Sequence, residues 1–283
     1  MVGARWSGWV LLRPWPTLGY GLSAVAVGAC LARRPWAPHA WAALGLAAAG
    51  VGVVQGVLAH AWNDRQDRAS GADARAASDW DRWVAPAVVL YAALGAAGVL
   101  LRGPWAGVLA ALGIWSAWAY SVPAWRLAYR PFWGEWGAIF PGVAAAVVAG
   151  SLAAGGLTGS VGWAAGLEGG LTVAAVLHHH LRDVETDWSA RPQKRTTPAW
   201  WRHRRGGDPR LPAGVAAALV TVGGVVAAAF WTPFLGTAVA GLLAAWLAFR
   251  PDLRPWAVSR RDRWFKGLVA AHALWLVAAG LGR

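Results

Sequence analysis

The stretch His178–Thr196, HHHLRDVETDWSARPQKRT, lies at the end of a long apolar run and contains two aspartates four positions apart, Asp183 and Asp187. A second acidic stretch, NDRQD at positions 63–67, lies at the end of an earlier apolar run, and its two aspartates are three positions apart. Residues three or four apart share one face of a helix, so each stretch can present a pair of carboxylates. We expect the two stretches to form halves of one site where membrane helices meet water.

The composition indicates a membrane protein. Of the 283 residues 57% are hydrophobic and only 14% are charged, whereas a soluble domain averages about 25% charged residues. The apolar runs are long enough to cross a hydrocarbon core of about 30 Å. We predict an all-α membrane protein with a single domain, residues 1–283, and nine transmembrane helices. The predicted spans are Trp15–Ala32, Ala40–Ala61, Val84–Leu101, Trp105–Tyr120, Trp136–Leu152, Trp163–Leu181, Pro212–Phe230, Pro233–Phe249 and Trp264–Gly282.

The distribution of basic residues predicts the orientation of these spans. With the N-terminus inside, 22 of the 26 Lys and Arg residues fall in inner segments and 4 in outer ones. Cytoplasmic loops carry such an excess, so we expect a multi-pass protein of the cell membrane with a cytoplasmic N-terminus and an outer C-terminus. Both acidic stretches then lie on the cytoplasmic side. The net charge of +13 is explained by topology and by attraction to anionic lipids and phosphorylated substrates. We predict no nucleic-acid partner and no obligate protein partner.

The paired carboxylates predict a magnesium site. Like charges so close repel one another unless a proton or a cation intervenes, and Mg²⁺ prefers carboxylate oxygens completed by water and substrate phosphate. A third aspartate, Asp73, reaches the same face only if Gly71 ends the helix and the chain folds back. The predicted metal ligands are Asp64, Asp67, Asp73, Asp183 and Asp187. The alternative is that these aspartates pair with neighbouring arginines on a hydrated surface.

Both motifs resemble those of the UbiA superfamily of intramembrane prenyltransferases. The resemblance rests on NDxxDxxxGxD from Asn63 and on RDxxTD from Arg182 followed by KRT from Lys194. Within the superfamily they most resemble the 1,4-dihydroxy-2-naphthoate polyprenyltransferases of menaquinone synthesis. RPWPTL from Arg13 and YSVPAWRL from Tyr120, followed by Gly-Glu at 134–135, are weaker matches. The resemblance covers essentially the whole chain.

The resemblance implies an all-α bundle around a central cavity that opens sideways to lipid. It implies Mg²⁺-dependent transfer of a polyprenyl group from polyprenyl diphosphate to an aromatic acceptor, with the aspartates at the cytoplasmic mouth. Tyr120 would lie near the reacting carbon, where its ring can stabilise a cation. The residues implied to bind substrates are Asn63, Arg68, Lys194 and Arg195 at the diphosphate, and Arg13 at the acceptor.

The sequence departs from the family pattern at two places. Six residues separate Asp187 from Lys194, two more than the family leads us to expect, so Lys194 can lie on a loop. His179 and His180 stand where the family often has two asparagines. Imidazole suits zinc or iron better than magnesium, so a His/Asp transition-metal site is an alternative, and a hydrogen bond from histidine to an aspartate is another. Glu168, isolated in an apolar span, needs a partner.

Other functions remain open at this point. The acceptor could be a phenolic benzoate, a chlorophyllide or a glycerol phosphate ether, or there could be no acceptor, as in membrane terpene cyclases of the superfamily. A cation-coupled transporter using intramembrane carboxylates belongs to a different class. Transporters often show two related halves and broken helices at the midplane, whereas the aspartates here lie at the ends of spans.

Overall fold

The computed structural model describes residues 17–32, 38–71 and 81–282. Two predicted site residues, Arg13 and Asp73, lie outside these ranges. The described residues form twelve α-helices and no β-strand. The helices are α1 Ser23–Leu31, α2 Pro38–Val53, α3 Ala59–Ser70, α4 Asp81–Arg102, α5 Pro104–Ser121, α6 Phe140–Ala154, α7 Gly159–His180, α8 Val184–Ser189, α9 Thr197–Arg205, α10 Leu211–Ala228, α11 Leu235–Ala248 and α12 Pro255–Leu281.

Short π-helical and 3₁₀ segments connect several of these helices. A π-helical segment, Thr17–Leu22, precedes α1, and a second, Val54–Leu58, joins α2 to α3 without a break. A third, Trp133–Ile139, leads into α6, and 3₁₀ turns occur at Leu127–Tyr129 and Thr232–Phe234. Single π-turns inside helices are frequent at functional sites, and all three of these segments contribute residues to the cavity described below.

The helices agree with the predicted all-α membrane architecture. In the described part of the chain, six helices are long and apolar enough to cross a bilayer, and Pro38–Ser70 is a single helix of 33 residues. Two shorter apolar helices, Tyr20–Leu31 and Thr232–Ala248, accompany them. Helices occupy the positions of all nine predicted spans, but only six satisfy both length and hydropathy. The number of crossings and the orientation of the termini therefore stay predictions.

Small residues allow the central helices to pack closely. A side chain at Gly28 of α1 would collide with the backbone carbonyl of Val147 in α6, and one at Gly150 of α6 would collide with that of Val25 in α1. Helices in lipid associate through such close backbone approach, because burial of apolar surface gives little driving force there. The pair α1 and α6 forms the middle of the bundle, with α2, α4 and α5 on one side and α7, α10, α11 and α12 on the other.

An elongated cavity of about 1180 Å³ lies between α2–α3, α4, α5, α6 and α7. The acidic residues of both stretches line one end, which we call the mouth, and Arg102 and Ala153 line the opposite end, which we call the far end. Tyr120 at the mouth and Ala106 at the far end both belong to α5. Their separation in sequence corresponds to about 21 Å along the helix axis. The Arg102 guanidinium donates to the Ala153 carbonyl, so a polar contact lies at the far end.

The predicted need of Glu168 for a partner is met inside the bundle. Glu168 of α7 is 1% exposed, and its Oε1 lies 3.0 Å from Nδ1 of His272 in α12. Nε2 of His272 lies 2.7 Å from Oγ1 of Thr237 in α11. The three side chains connect three helices through polar contacts, away from the cavity.

Candidate active site

The first acidic stretch forms one face of α3 at the mouth. Asp64 and Asp67 are both buried in the protein, and both line the cavity. Asn63 donates from Nδ2 to Oδ2 of Asp67 at 2.8 Å. Gly71 follows α3 in the left-handed conformation with φ 73°, a backbone conformation that glycine adopts at no steric cost. The predicted helix end is confirmed.

The second acidic stretch differs from the continuous helix that the spacing suggested. Helix α7 ends at His180, and Asp183 lies at the N-cap position of the separate helix α8, which contains Asp187. Three successive i→i−3 hydrogen bonds, from the amides of residues 181, 182 and 183, tighten the chain between the two helices, as often occurs at helix ends. Asp183 and Asp187 therefore lie at the start of α8 and within it, not on the end of α7.

Lys194 brings the two acidic stretches together. Its ammonium donates to both oxygens of Asp67, at 2.9 and 3.0 Å, and lies 3.8 Å from Oδ1 of Asp187. Thr196 donates from Oγ1 to Oδ2 of Asp187 at 3.1 Å. Burial alone would lower the pKa of the Lys194 amine, but Asp187 and Asp67 outweigh burial and raise that pKa above its ordinary value. Lys194 therefore remains a cation at this position, on a non-helical segment between α8 and α9.

The pKa values of the two aspartates of the second stretch are shifted in opposite directions. Arg182 donates twice to Asp183, from Nε and Nη2, each at 2.9 Å. Burial would raise the pKa of Asp183, but this guanidinium outweighs it and holds the pKa below its ordinary value. For Asp187, burial raises the pKa to about 6 against the opposing charge of Lys194. An additional cation would therefore favour the ionised form of Asp187.

The donor set at the mouth fits a magnesium diphosphate in its chemistry. Four carboxylates from two stretches line one cavity end, and hard cations such as Mg²⁺ take oxygen ligands of this kind. Over the described ranges, no three His, Cys, Asp or Glu side chains converge as the ligands of one ion. The Lys194 ammonium lies between Asp67 and Asp187 and neutralises them, so these two carboxylates do not converge on one point. No cluster there supports the alternative of a His/Asp transition-metal site.

A hydrogen-bonded array that the sequence did not predict extends from the mouth into the protein. The hydroxyl of Tyr120 lies 3.4 Å from Nε2 of His180, whose Nδ1 lies 3.1 Å from Oε1 of Glu135. Thr197 donates from Oγ1 to Oε2 of Glu135 at 2.8 Å. Phe132, with φ 69°, donates its backbone N–H to Thr197 at 2.7 Å. A bulky residue with positive φ is strained, and here the strained residue belongs to the array.

His179, the neighbour of His180, contacts α12 and not the array. Its Nδ1 lies 3.1 Å from Oδ2 of Asp262 in α12, and that oxygen also accepts from Lys266 at 2.6 Å. His179 therefore contacts an aspartate outside both acidic stretches. Lys266 and Tyr20 line the cavity beside it, so each of the two lysines in the chain is ion-paired at this cavity.

Two predicted diphosphate ligands lie outside the cavity lining. Arg68 is half-buried on α3, and Arg195 is exposed with its Nε donating to Gln193. Neither belongs to the lining residues, whereas Asn63, Lys194 and Tyr120 do. In the sequence, Glu135 belongs only to a weak motif, and no pattern points to Thr197. Only the identity of the two histidines indicated that this part of the site was unusual.

Comparison with known proteins agrees with this geometry. A family model of the UbiA prenyltransferase family matches residues 21–275, and no curated protein matches the chain. A UbiA homolog from Archaeoglobus fulgidus bound to GPP and Mg²⁺ has a similar structure, with 15% identity, a TM-score of 0.65 and coverage of 95% of this chain and 98% of that one. The same homolog bound to DMAPP and Mg²⁺ has 16% identity, a TM-score of 0.64 and coverage of 95% of this chain and 98% of that one.

A solved digeranylgeranylglyceryl phosphate synthase is also similar, with 12% identity, a TM-score of 0.65 and coverage of 97% of this chain and 100% of that one. Identities this low establish the common fold alone. The family model adds the sequence pattern and spans most of the chain. Both acidic stretches fall within the matched residues and meet at one cavity. The chain belongs to the UbiA prenyltransferase family and is a membrane-embedded prenyltransferase.

Proposed function

We propose that the protein transfers a polyprenyl group from polyprenyl diphosphate to an aromatic acceptor in a Mg²⁺-dependent reaction. Our best assignment of the acceptor is 1,4-dihydroxy-2-naphthoate, in menaquinone biosynthesis. One observation carries the proposal: aspartates from stretches more than 100 residues apart line the same end of an elongated, largely apolar cavity. A diphosphate head and a long hydrocarbon tail require these two environments at opposite ends of one site.

The mouth would hold the diphosphate. One solved homolog binds two different prenyl diphosphates together with Mg²⁺, and the aspartates of this chain offer oxygen ligands that suit Mg²⁺. We assign the metal to Asp64, Asp67, Asp183 and Asp187, with Asp73 as a further ligand. When bound, Mg²⁺ neutralises charge that develops on the departing diphosphate. Lys194 adds a mobile positive charge that can move from Asp67 to a phosphate oxygen, assisted by Asn63, Arg68 and Arg195.

The apolar part of the cavity would enclose the tail. Its walls on α4, α5 and α6 consist mainly of Ala, Gly, Leu and Val. Exclusion of water from the allylic carbon limits hydrolysis of the reactive end. The ring of Tyr120 at the mouth lies where the charge develops, and an aromatic face attracts a cation. We place the acceptor beside Tyr120, with Arg13 as a ligand, and for a dihydroxynaphthoate the loss of carbon dioxide follows prenylation.

The orientation is part of the proposal. The excess of Lys and Arg in the segments that flank the acidic stretches favours a cytoplasmic mouth and a cytoplasmic N-terminus. The protein would then act in the cell membrane on a water-soluble acceptor that arrives from the cytoplasm.

Product analysis tests the proposal. Purified protein in lipid nanodiscs is incubated with geranylgeranyl diphosphate, Mg²⁺ and one acceptor at a time: dihydroxynaphthoate, 4-hydroxybenzoate, a glycerol phosphate ether or none. We expect a prenylated, decarboxylated naphthalenediol by mass spectrometry. Another prenylated acceptor would correct the substrate, and a cyclic hydrocarbon without acceptor would indicate a cyclase. Cation flux in liposomes without consumption of diphosphate would indicate a transporter instead.

Matched variants test the site. Asp64→Asn and Asp183→Asn should abolish turnover while the protein still inserts and folds. Asp252→Asn is the control, because Asp252 lies outside the cavity lining and pairs with Arg254. Near-normal activity in both of the first two variants would contradict the assignment of the acidic stretches.

A further inference from the structure

The array of Tyr120, His180, Glu135 and Thr197 has the geometry of a proton relay. Its members come from four different segments: α5, the end of α7, the π-helical segment before α6 and the start of α9. Tyr120 and His180 line the cavity at the mouth, whereas Glu135 and Thr197 are each 1% exposed. The array therefore leads from the reaction space to a carboxylate shielded from water.

The hydrogen bonds define the direction of the relay. Oγ1 of Thr197 accepts the N–H of Phe132, so its own proton is available to Oε2 of Glu135. Oε1 of Glu135 accepts the backbone N–H of Thr197 at 3.5 Å and faces Nδ1 of His180. Both oxygens thus act as acceptors, which is the pattern of an ionised carboxylate. A carboxylate at Nδ1 fixes the proton on that nitrogen and leaves the lone pair of Nε2 facing the Tyr120 hydroxyl.

We propose that His180, held by Glu135, accepts through the Tyr120 hydroxyl the proton that the acceptor loses during prenyl transfer. The inference rests on the proposed function. The allylic C–O bond breaks and its electron pair leaves with diphosphate, and a π pair of the acceptor ring forms the new C–C bond. The attacked carbon must carry hydrogen; its C–H pair then returns to the ring, and its proton passes to the Tyr120 oxygen as the Tyr120 proton passes to Nε2 of His180. For a dihydroxynaphthoate the attacked carbon is therefore the one beside the carboxyl-bearing carbon. Departure of carbon dioxide from that neighbouring carbon takes up one proton, which the relay returns, so no net proton is released.

Three of the four carboxylates at the mouth are already engaged. Asp67 and Asp187 share the Lys194 ammonium, and Asp183 is held twice by Arg182. The 3.4 Å separation between Tyr120 and His180 is long, but catalytic hydrogen bonds often tighten only when substrate is bound. Glu135 would stabilise the imidazolium that forms, as a buried carboxylate does beside a histidine base.

Three variants each remove one part of the relay. The asparagine amide cannot accept a proton as imidazole does, so His180→Asn removes the base. Glu135→Gln keeps the shape of the carboxylate but removes its charge, and Tyr120→Phe keeps the ring but removes the hydroxyl.

The experiment separates ionisation of the diphosphate from loss of the proton. Exchange of ¹⁸O between bridging and non-bridging positions of the prenyl diphosphate reports ionisation, and product formation reports the whole transfer. We expect all three variants to retain isotope exchange while kcat for transfer falls about 10²-fold or more, the usual contribution of a general base. With acceptor deuterated at the reacting carbon, kcat should be isotope-insensitive in the wild type and isotope-sensitive in His180→Asn. The double variant His180→Asn/Tyr120→Phe should be no slower than the slower of the two single variants, because each change alone already disables the same relay.

Each outcome decides between the relay and its rivals. If the wild type shows neither exchange nor transfer, the proposed function fails. If His180→Asn transfers at the wild-type rate without an isotope effect, the relay is overturned and the function stands. Equal loss of exchange and transfer in Glu135→Gln and His180→Asn would mean that the array is structural, which also overturns the relay. His178→Asn is the matched control, because His178 stacks on Phe265 and does not line the cavity, and it should leave the isotope sensitivity unchanged.

Discussion

Replacement of Lys194 by methionine should have opposite effects on magnesium and on substrate. In the protein without ligands, the Lys194 ammonium lies at hydrogen-bonding distance from Asp67 and 3.8 Å from Asp187, so it competes with any metal ion for these carboxylates. With diphosphate present, the same ammonium is free to bind phosphate. Methionine has a similar apolar length and no charge, so Lys194→Met removes both effects without opening a large cavity.

The contacts suggest the size of each effect. Removal of one partner from a buried ion pair costs about 3–5 kcal/mol, because the remaining charge is left uncompensated. If a metal ion recovers about 2 kcal/mol of this cost, Lys194→Met binds Mg²⁺ about 30-fold more tightly than the wild type in the absence of diphosphate. Loss of a charged hydrogen bond to phosphate, worth about 1.5–3 kcal/mol, should lower kcat/KM for prenyl diphosphate about 10- to 150-fold.

Calorimetry and steady-state kinetics measure the two effects separately. Mg²⁺ is titrated into protein in nanodiscs without diphosphate, and kcat/KM is measured at saturating Mg²⁺. Lys266→Met is the matched control, since Lys266 lines the same cavity but pairs with Asp262, and its Mg²⁺ affinity should equal that of the wild type. Unchanged Mg²⁺ affinity together with unchanged kcat/KM in Lys194→Met would refute the reasoning. Equal gains of Mg²⁺ affinity in both lysine variants would show that only overall charge matters.

Three further predictions concern pH, stability and the length of the prenyl chain. Since burial raises the pKa of Asp187 to about 6, calorimetry should show that Mg²⁺ affinity falls below pH 6. Without metal, the protonated form of Asp187 stabilises the fold and is lost as pH rises through about 6, so thermal unfolding in EDTA should occur at a lower temperature at pH 7 than at pH 5. Asp187→Asn should remove both trends. Glu168→Ala leaves His272 without its carboxylate partner and should lower the free energy of unfolding by about 1–3 kcal/mol. Glu185→Ala, at an exposed position, should leave that free energy unchanged. A larger side chain in Gly98→Phe would project toward Ala106 at the far end, so assays with a series of prenyl diphosphates should show that it loses the longest substrates and retains dimethylallyl diphosphate.

The all-α architecture and the position of the acidic stretches were predictable because their signals are local. Apolar runs of sufficient length form membrane helices, since only internal hydrogen bonding satisfies the backbone in lipid. A glycine four residues past the last buried carboxylate of α3 predicted the helix end at Gly71, which the structure confirms. The meeting of the two stretches followed from their chemistry, because carboxylate pairs of this kind are stable only with a shared cation.

The contacts that join distant segments were not predictable from one sequence. The apolar helices give no periodic signal that separates lipid-facing from cavity-facing residues, so the partners of His179 and His180 could not be assigned. The spacing of the aspartates did not show that α7 ends at His180, before Asp183, or that His179 contacts Asp262. Likewise, the family resemblance could not show that Arg195 is exposed while Lys194 is buried.

The segment between α8 and α9 links the two halves of the proposed chemistry. Within four consecutive residues, Lys194 neutralises Asp67, Thr196 donates to Asp187, and Thr197 donates to Glu135. The first two contacts belong to the diphosphate side of the mouth and the third to the proton relay. Because Lys194 and Thr196 lie on a short non-helical segment and Thr197 begins α9 directly after it, a movement of Lys194 toward a bound diphosphate would also move the backbone that holds Glu135. The longer spacing between Asp187 and Lys194 is thus consistent with a loop that must reach both sides, and binding of the leaving group and readiness of the base are expected to be coupled.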